Sequence, residues 1–217
     1  PPRSTLFPYT TLFRSIIVTS SGNVQAQMIQ ELEFYEPNTC ITAGGFSTMG
    51  YTLPAAIGAK LGQPKKQVVG LVGDGEFLMG MMELHTAKQL NLNIVLVIVN
   101  NKGWVAISDL QRAVFGEDRA YATEFEDHTG QRYSPNFAEV AKGFGCWAVR
   151  IDKAVDIKPS LKAAFEQQGP AVIEIMVSQD PKYTGSPAWG WWDVPIPAYM
   201  KDKRAKYLEN IQEEDLS

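Results

Sequence analysis

Two runs of apolar residues, each followed directly by a polar turn, constrain the fold of this chain more than any other feature. The first, Gln67–Val72 (QVVGLV), leads straight into a Gly-Asp-Gly turn at 73–75. The second, Ile94–Val99, has six consecutive aliphatic residues and ends at a pair of asparagines, 100–101. Uncharged β-branched runs are typical of strands that are buried on both faces. Because the residues between them have helical spacing, the pair predicts a strand–helix–strand unit in a parallel sheet.

The same alternation continues from Ile16 to Val177. It predicts a three-layer α/β fold, with helices on both faces of a parallel sheet. Residues 102–135 lack a clean period and contain several glycines, which indicates a long functional loop. The other predicted strands are Ile16–Thr19, Thr39–Thr42, Trp147–Ile151 and Ala171–Val177, and the predicted helices are Gln25–Tyr35, Met49–Leu61, Phe77–Leu90, Asn136–Phe144 and Ile157–Gln168.

Composition narrows the possible partners. Of the 217 residues 45% are hydrophobic, and 20 basic against 24 acidic residues give a net charge of −4. This argues against a nucleic-acid-binding surface. No apolar run reaches the roughly 18 residues of a membrane span, and two cysteines are too few for a disulfide scaffold. We therefore expect neither nucleic acid nor membrane as a partner, and a cytoplasmic location.

The two ends of the chain differ from the rest. Residues 1–15 (PPRSTLFPYTTLFRS) lack the pattern of a signal peptide and resemble a translated sequencing adapter, so we expect this segment to be non-native. The alternative is a natural N-terminal arm that is rich in loops. Residues 181–217 form an arm that is rich in Trp and Pro and then charged. The arm is expected to cover a site, to dock on a partner subunit or to pack on its own domain. The predicted domain comprises residues 16–180.

The polar turns after the two central strands predict a metal-bridged phosphate site. Carboxyl ends of parallel strands share one edge of a sheet, so the two turns should converge. The Asp74 carboxylate and the Asn101 amide oxygen are the hard donors that suit Mg²⁺, and Gly75 enters a helix whose free N–H groups favour phosphate. Taken singly, each motif is an ordinary turn or strand end. A dinucleotide fingerprint is disfavoured, because an acid between the glycines would repel a pyrophosphate that lacks a metal.

The sequence resembles the thiamine diphosphate-dependent enzymes. In GDGEFLMGMMELHTAKQLNLNIVLVIVNN, 24 residues separate GDG from NN, which is similar to the family signature. Upstream, TAGGFSTMGYTLPAAIGAK is similar to the segment that contacts the cofactor's rings in acetolactate synthase-like enzymes. The resemblance covers about residues 16–180. It implies the C-terminal, diphosphate-binding domain of an acetolactate synthase-like protein, near the branch of the cyclic-diketone hydrolases.

The resemblance implies roles for residues at matching positions. Asp74, Asn101 and the backbone carbonyl of Gly103 match the Mg²⁺ ligands. Met49 matches the apolar residue that wedges between the cofactor rings, and Ser47 stands where a backbone carbonyl accepts from the 4′-amino group, so these two are the candidate catalytic residues. The other candidate cofactor contacts are Gln25, Gly73, Gly75, Glu76, Trp104 and Ile107.

Ile107 is a departure from part of the family. Some decarboxylases have a Glu six residues after the second asparagine, and the apolar side chain here cannot transfer a proton. Simple pyruvate decarboxylation by that route is therefore disfavoured. Trp104, Ala106 and Ile107 are expected either to form an apolar wall beside the cofactor or to pack in the core.

The resemblance implies an enzyme that forms or cleaves a C–C bond next to a carbonyl, with thiamine diphosphate and Mg²⁺ as cofactors and a 2-oxo acid or diketone as substrate. It also implies an activating Glu from the pyrimidine-binding domain of a second subunit, which no segment here resembles. We therefore expect this chain to be a fragment of a longer homodimer or homotetramer. The alternatives are a separate subunit of a two-chain 2-oxo acid decarboxylase or oxidoreductase, and a non-catalytic interaction module that retains the fold.

Overall fold

Six strands form one parallel sheet in the computed structural model, which describes residues 15–116, 118–179, 201–202 and 205. All five strand pairings are parallel. The predicted parallel α/β fold is confirmed. The strands are β1 Ile16–Val18, β2 Cys40–Ile41, β3 Val68–Gly73, β4 Val95–Asn100, β5 Trp147–Ile151 and β6 Ala171–Met176, in the order β2-β1-β3-β4-β6-β5.

Helices cover both faces of the sheet. They are α1 Gly22–Glu31, α2 Thr52–Gly62, α3 Asp74–Gly80, α4 Leu84–Gln89, α5 Val105–Phe115, α6 Phe137–Gly143 and α7 Ile157–Phe165, with 3₁₀ turns at Gly44–Phe46, Met81–Glu83 and Ala154–Asp156. Successive side chains of a strand point to opposite faces. In β4, Leu96 and Ile98 join a core cluster with residues of α2, α3, α4 and α6, whereas Val95 and Val97 join a second cluster with residues of α1 and α7. The three predicted layers are therefore present.

Helix α5 was not predicted, because it lies within the segment 102–135 that was expected to be an irregular loop. Its buried positions include the polar residues Ser108 and Asp109 as well as Val105 and Val114. The apolar residues Ile107, Leu110 and Val114 do recur at helical intervals, but the glycines on either side, at 103 and 116, favoured a loop in the prediction. The loop prediction was wrong for this part of the segment.

The predicted helix Phe77–Leu90 begins three residues earlier, at Asp74, and is interrupted at Gly80. A Cβ at Gly80 would lie 3.0 Å from the carbonyl oxygen of Gly50. This close approach of another segment coincides with the 3₁₀ turn that separates α3 from α4. The break in the helix thus coincides with a tertiary contact, and the spacing of apolar residues in the sequence does not reveal it.

The described residues include no helix long and apolar enough to cross a membrane. The predicted terminal segments 1–15 and 181–217 lie outside the described residues, apart from Ser15, 201–202 and 205. The predictions made for those segments stay predictions.

Candidate functional site

The centre of the sheet brings the two polar turns together. Strands β3 and β4 are neighbours, with Gly73 in register with Val99, so Asp74 and the loop 101–103 leave the same edge of the sheet. The Asp74 carboxylate contacts that loop directly, because its Oδ2 accepts a hydrogen bond from the Gly103 N–H at 3.0 Å. Its Oδ1 accepts from the Gly75 N–H at 2.9 Å. The predicted convergence of the two turns is confirmed.

Asp74 is a buried acid with an unfavourable charge. Only 2% of its surface is exposed, and burial raises the pKa of its carboxyl to about 6, against the opposing effect of hydrogen bonds from the Gly103, Gly75 and Lys102 N–H groups. In the described part of the chain no Lys or Arg forms an ion pair with it. A cation bound at this carboxylate would remove the cost of its burial.

Hydrogen bonds and one close backbone contact fix the conformation of the loop after β4. Asn100 Oδ1 accepts from the Lys102 N–H at 3.0 Å, and Lys102 adopts a left-handed conformation with φ of 59°. The Lys102 carbonyl accepts from the Phe125 N–H at 3.0 Å. A Cβ at Gly103 would lie 2.7 Å from the Thr123 carbonyl oxygen. Any side chain at 103 would therefore push the loop away from the 123–125 segment.

Glu124 holds that segment against α5. Its Oε1 accepts from Arg112 at 2.9 Å and also forms an ion pair with Arg132. Gly103 pairs with Glu124 in an antiparallel bridge. The backbone of the candidate metal loop is thus supported from both sides, by Asp74 and by the 123–125 segment.

Among the buried side-chain atoms that lack a hydrogen-bond partner in the described residues, two belong to the segment that follows β4. One is an acceptor, Asn101 Oδ1, and the other is a donor, Trp104 Nε1. Buried polar groups are nearly always satisfied, so such atoms indicate a missing partner. A metal ion would satisfy the first and an anion the second. The residues therefore fit a metal-bridged phosphate group.

Trp104 lies directly over Gly75. A Cβ at Gly75 would overlap the Nε1 and Cδ1 atoms of the indole. The ring also packs edge-on against Phe125, with centroids 4.9 Å apart and planes at 89°. Gly75 is therefore required here by a side chain that the sequence alone did not connect to it.

The side chain of Glu76 ties the Gly-Asp-Gly helix to the segment that carries Met49. Its buried Oε1 accepts from the Thr52 N–H at 3.1 Å, at the start of α2, and burial raises the pKa of this carboxyl. Ser47, at the end of the 3₁₀ turn before Met49, has a positive φ of 44°. The sequence predicted Glu76 only as a cofactor contact and gave no sign of this link.

The other predicted contacts are more dispersed. Gly73 directly precedes α3. Gln25 lies on α1 and forms no hydrogen bond with Asp74 or with the loop 101–103 in the described residues. Ile107 lies on α5 and is 41% exposed, so it does not pack in the core. Whether these residues contact a cofactor stays a prediction.

The donor set itself indicates the kind of metal. Among the residues that the structure describes, no group of three or more His, Cys, Asp and Glu side chains is placed to hold a metal ion. One carboxylate, one amide oxygen and a backbone carbonyl are hard oxygen donors, which suit Mg²⁺ with water and phosphate oxygens completing the shell.

Comparison with known proteins agrees with this site. The family model of the thiamine pyrophosphate enzyme, C-terminal TPP binding domain, matches residues 20–175. The chain belongs to this family. The match of this thiamine pyrophosphate-binding domain includes β3, β4 and both polar turns. Thiamine pyrophosphate and thiamine diphosphate are the same compound.

Curated relatives include two kinds of enzyme. The domain is 37% identical over 166 residues to the acetolactate synthase catalytic subunit of Aspergillus candidus, which covers 76% of this chain and 23% of the relative. It is 35% identical over 182 residues to the 3D-(3,5/4)-trihydroxycyclohexane-1,2-dione hydrolase of Shouchella clausii (84% and 28%), and 34% identical over 201 residues to that of Lacticaseibacillus casei (91% and 30%). The chain spans about a quarter to a third of the length of these relatives.

Proposed function

We propose that this domain binds thiamine diphosphate through Mg²⁺, as part of an enzyme that forms or cleaves a C–C bond next to a carbonyl. The metal ligands are the Asp74 carboxylate, the Asn101 side-chain oxygen and the Gly103 carbonyl. The substrate class is a 2-oxo acid or a diketone, in keeping with the names of the acetolactate synthases and the trihydroxycyclohexanedione hydrolases among its relatives.

One observation carries the metal assignment. The buried Asp74 carboxylate accepts from the Gly103 N–H, while Asn101 Oδ1, two residues before Gly103, is buried without a partner. A carboxylate whose burial raises its pKa, facing a loop that carries an unsatisfied acceptor, is a poor arrangement for an empty protein. They are a suitable arrangement for a divalent cation.

The residues of this chain bind and orient, whereas the cofactor supplies the carbanion and the electron sink when bound. Trp104 presents a buried N–H that can donate to a phosphate oxygen. Met49 lies on a segment that Glu76 fixes relative to α3 through the Thr52 N–H. The distance between the diphosphate end and the ring-contacting segment is thereby set within one domain.

We also propose that a second subunit completes the site with a pyrimidine-binding domain. Large apolar side chains flank the Met49 segment and are open to solvent: Phe46 is 96% exposed and Met79 is 55% exposed. Met79 packs beside Gly50, since a Cβ at Gly50 would lie 3.4 Å from Met79 Cβ. Exposed apolar groups next to a binding segment favour an interface there. Turnover of 2-oxo acids by the isolated 217-residue chain would refute this part of the proposal.

Calorimetry with thiamine diphosphate, with and without Mg²⁺, tests the metal assignment. We expect binding only when Mg²⁺ is present and loss of that binding in Asp74→Ala. Asp152→Ala, which removes an exposed carboxylate after β5, serves as the matched control and should bind as the unchanged chain does. Equal binding with and without the metal, or retained binding in Asp74→Ala, would contradict the proposal.

A further inference from the structure

A carboxylate is buried in the middle of the sheet, where apolar side chains are the rule. Glu174 lies in β6 within the run AVIEIM and has 0% of its surface exposed. Burial of a carboxylate is unfavourable unless its oxygens accept hydrogen bonds or it is paired with a charge. Burial of the Glu174 carboxylate is therefore tolerated only because surrounding groups donate to it or pair with it.

Those groups come from three other elements. Glu174 Oε1 accepts from Asn100 Nδ2 at 2.7 Å, and Oε2 accepts from the Ala138 N–H at 3.0 Å, in the first turn of α6. Arg150 Nε on β5 is 3.7 Å from Oε1. Glu174 pairs with Ile98 and Asn100 with Met176 in the β4–β6 ladder. The two side chains are therefore diagonal neighbours on one face of the sheet.

The bond to Glu174 decides which way the Asn100 amide points. An Asn side chain has a donor end and an acceptor end, whereas a carboxylate oxygen accepts. Because Glu174 takes the donor end, the acceptor Oδ1 faces the Lys102 N–H at 3.0 Å. A reversed amide would place two donors against each other at Lys102. Ser134 does not fix the direction, since its hydroxyl contacts both ends of the amide.

The bonds continue to the candidate metal site. The Lys102 N–H that Asn100 accepts belongs to a residue in the left-handed conformation, and the next N–H, that of Gly103, donates to Asp74 Oδ2. We propose that Glu174 is a positioning residue of the metal site, acting through Asn100 to hold the 101–103 loop against Asp74. Glu174 touches neither metal nor cofactor. This inference rests on the proposed function, since the loop matters for binding only if it holds the metal.

Glu174→Met removes both acceptors at nearly unchanged length and leaves the Asn100 amide free to turn. The matched control is Val172→Ala, on the same strand and face, which destabilises the core but leaves the Asn100 contacts intact. Amide hydrogen exchange in the metal-free chain is the first measurement, with the Ile98 amide in β4 as the internal reference. We expect the protection of the Lys102 and Gly103 amides, relative to Ile98, to fall about tenfold in Glu174→Met, as for one lost buried hydrogen bond. In Val172→Ala the ratio should not change.

An exchange of donors and acceptors gives a second, independent test. Asn100→Asp places two carboxylates against each other and should loosen the loop. In the double variant Asn100→Asp/Glu174→Gln, the new amide on β6 donates to the new carboxylate on β4, and its oxygen accepts from the Ala138 N–H. The contact between positions 100 and 174 is thereby restored, although the ion pair with Arg150 and the donation to Ser134 are not. We expect Glu174→Gln to raise loop protection in the Asn100→Asp background although it does not do so in the unchanged chain. This pair keeps the proposal testable if Glu174→Met does not fold.

Two results would overturn the proposal: equal loss of protection at Ile98, Lys102 and Gly103 in Glu174→Met, or no rescue of Asn100→Asp by Glu174→Gln. Calorimetry with Mg²⁺ and thiamine diphosphate then separates the positioning role of Glu174 from the proposed function of the domain. Absence of binding by the unchanged chain would count against the proposed function, while the exchange data would still decide on positioning. Where the unchanged chain binds, we expect Glu174→Met to weaken that binding about tenfold, again as for one buried hydrogen bond, and equal affinity would refute the functional role of Glu174.

Discussion

Replacement of Gly75 by Ala tests the contact between the Gly-Asp-Gly turn and Trp104. The added Cβ would come closer to the indole Nε1 and Cδ1 atoms than the 3.0 Å below which Cβ contacts essentially never occur. The three nearest atoms all belong to Trp104, so the indole must move. Its departure would also break the edge-on contact with Phe125.

Steric overlap and helix preference act in opposite directions on the free energy of unfolding of Gly75→Ala. Overpacking of a closely packed site costs about 1–3 kcal/mol, and loss of the aromatic pair adds about 0.5–1.5 kcal/mol. Ala favours a helix over Gly by up to about 1 kcal/mol, and Gly75 lies in α3. We expect a net loss of about 2 kcal/mol in the free energy of unfolding. In a Trp104→Ala background, only the helical preference remains, so the same change should stabilise by up to about 1 kcal/mol.

Urea unfolding followed by far-ultraviolet circular dichroism measures both values without relying on Trp fluorescence. The double-mutant cycle should give a coupling energy of about 3 kcal/mol between positions 75 and 104. Gly58→Ala in α2, where an added Cβ meets nothing within 4 Å, is the matched control and should be neutral or stabilising in both backgrounds. A Gly75→Ala variant as stable as the unchanged chain, or equally destabilised without Trp104, would refute the reasoning.

Three further predictions concern the same edge of the sheet. Burial raises the pKa of the Asp74 carboxyl from 3.8 to about 6, so between these two values the unfolded chain has released this proton while the metal-free folded chain still holds it. The free energy of unfolding should fall by up to ~3 kcal/mol between pH ~4 and ~6.5 relative to Asp74→Ala, as urea titrations at several pH values would reveal; a difference independent of pH would contradict it. Gly103→Ala should weaken Mg²⁺-dependent cofactor binding about tenfold by calorimetry, since its Cβ would meet the Thr123 carbonyl at 2.7 Å; unchanged affinity would refute it. Glu76→Ala leaves the buried amide that begins α2 without its acceptor and should lower the free energy of unfolding by about 1–3 kcal/mol, whereas a urea midpoint equal to that of the unchanged chain would count against it.

The fold could be predicted from the sequence where local pattern and tertiary structure agree. Strands β3, β4 and β6 are covered on both faces, so their residues are almost all apolar and the runs stand out. The convergence of Asp74 with the loop after β4 followed from one topological rule on parallel strands. That rule needs only the strand ends, which is why it succeeded without any knowledge of side-chain contacts.

The parts that sequence reasoning missed depend on contacts between distant segments. Helix α5 is an exception, since its apolar residues have helical spacing and it was assigned to a long loop because of the glycines at 103 and 116 on either side. The overlap of Trp104 with the space beside Gly75 joins residues from two different turns. Glu174 is visible as one acid in an apolar run, yet its partners come from β4, β5 and α6. A sequence shows that such a residue is unusual, but it does not show which groups that residue contacts.

The structure adds a physical reason why the predicted phosphate site needs a metal. The sequence suggested that free N–H groups at the start of α3 would attract a phosphate. The Gly75 N–H already donates to Asp74 Oδ1, and two acids, Asp74 and Glu76, lie in the first turn of the helix. This end of the helix is therefore negative, and an anion would be repelled from it unless a cation came between them. We therefore expect thiamine diphosphate to bind at this edge only with the metal as a bridge, and the unsatisfied oxygen of Asn101 lies on the loop that would share that metal.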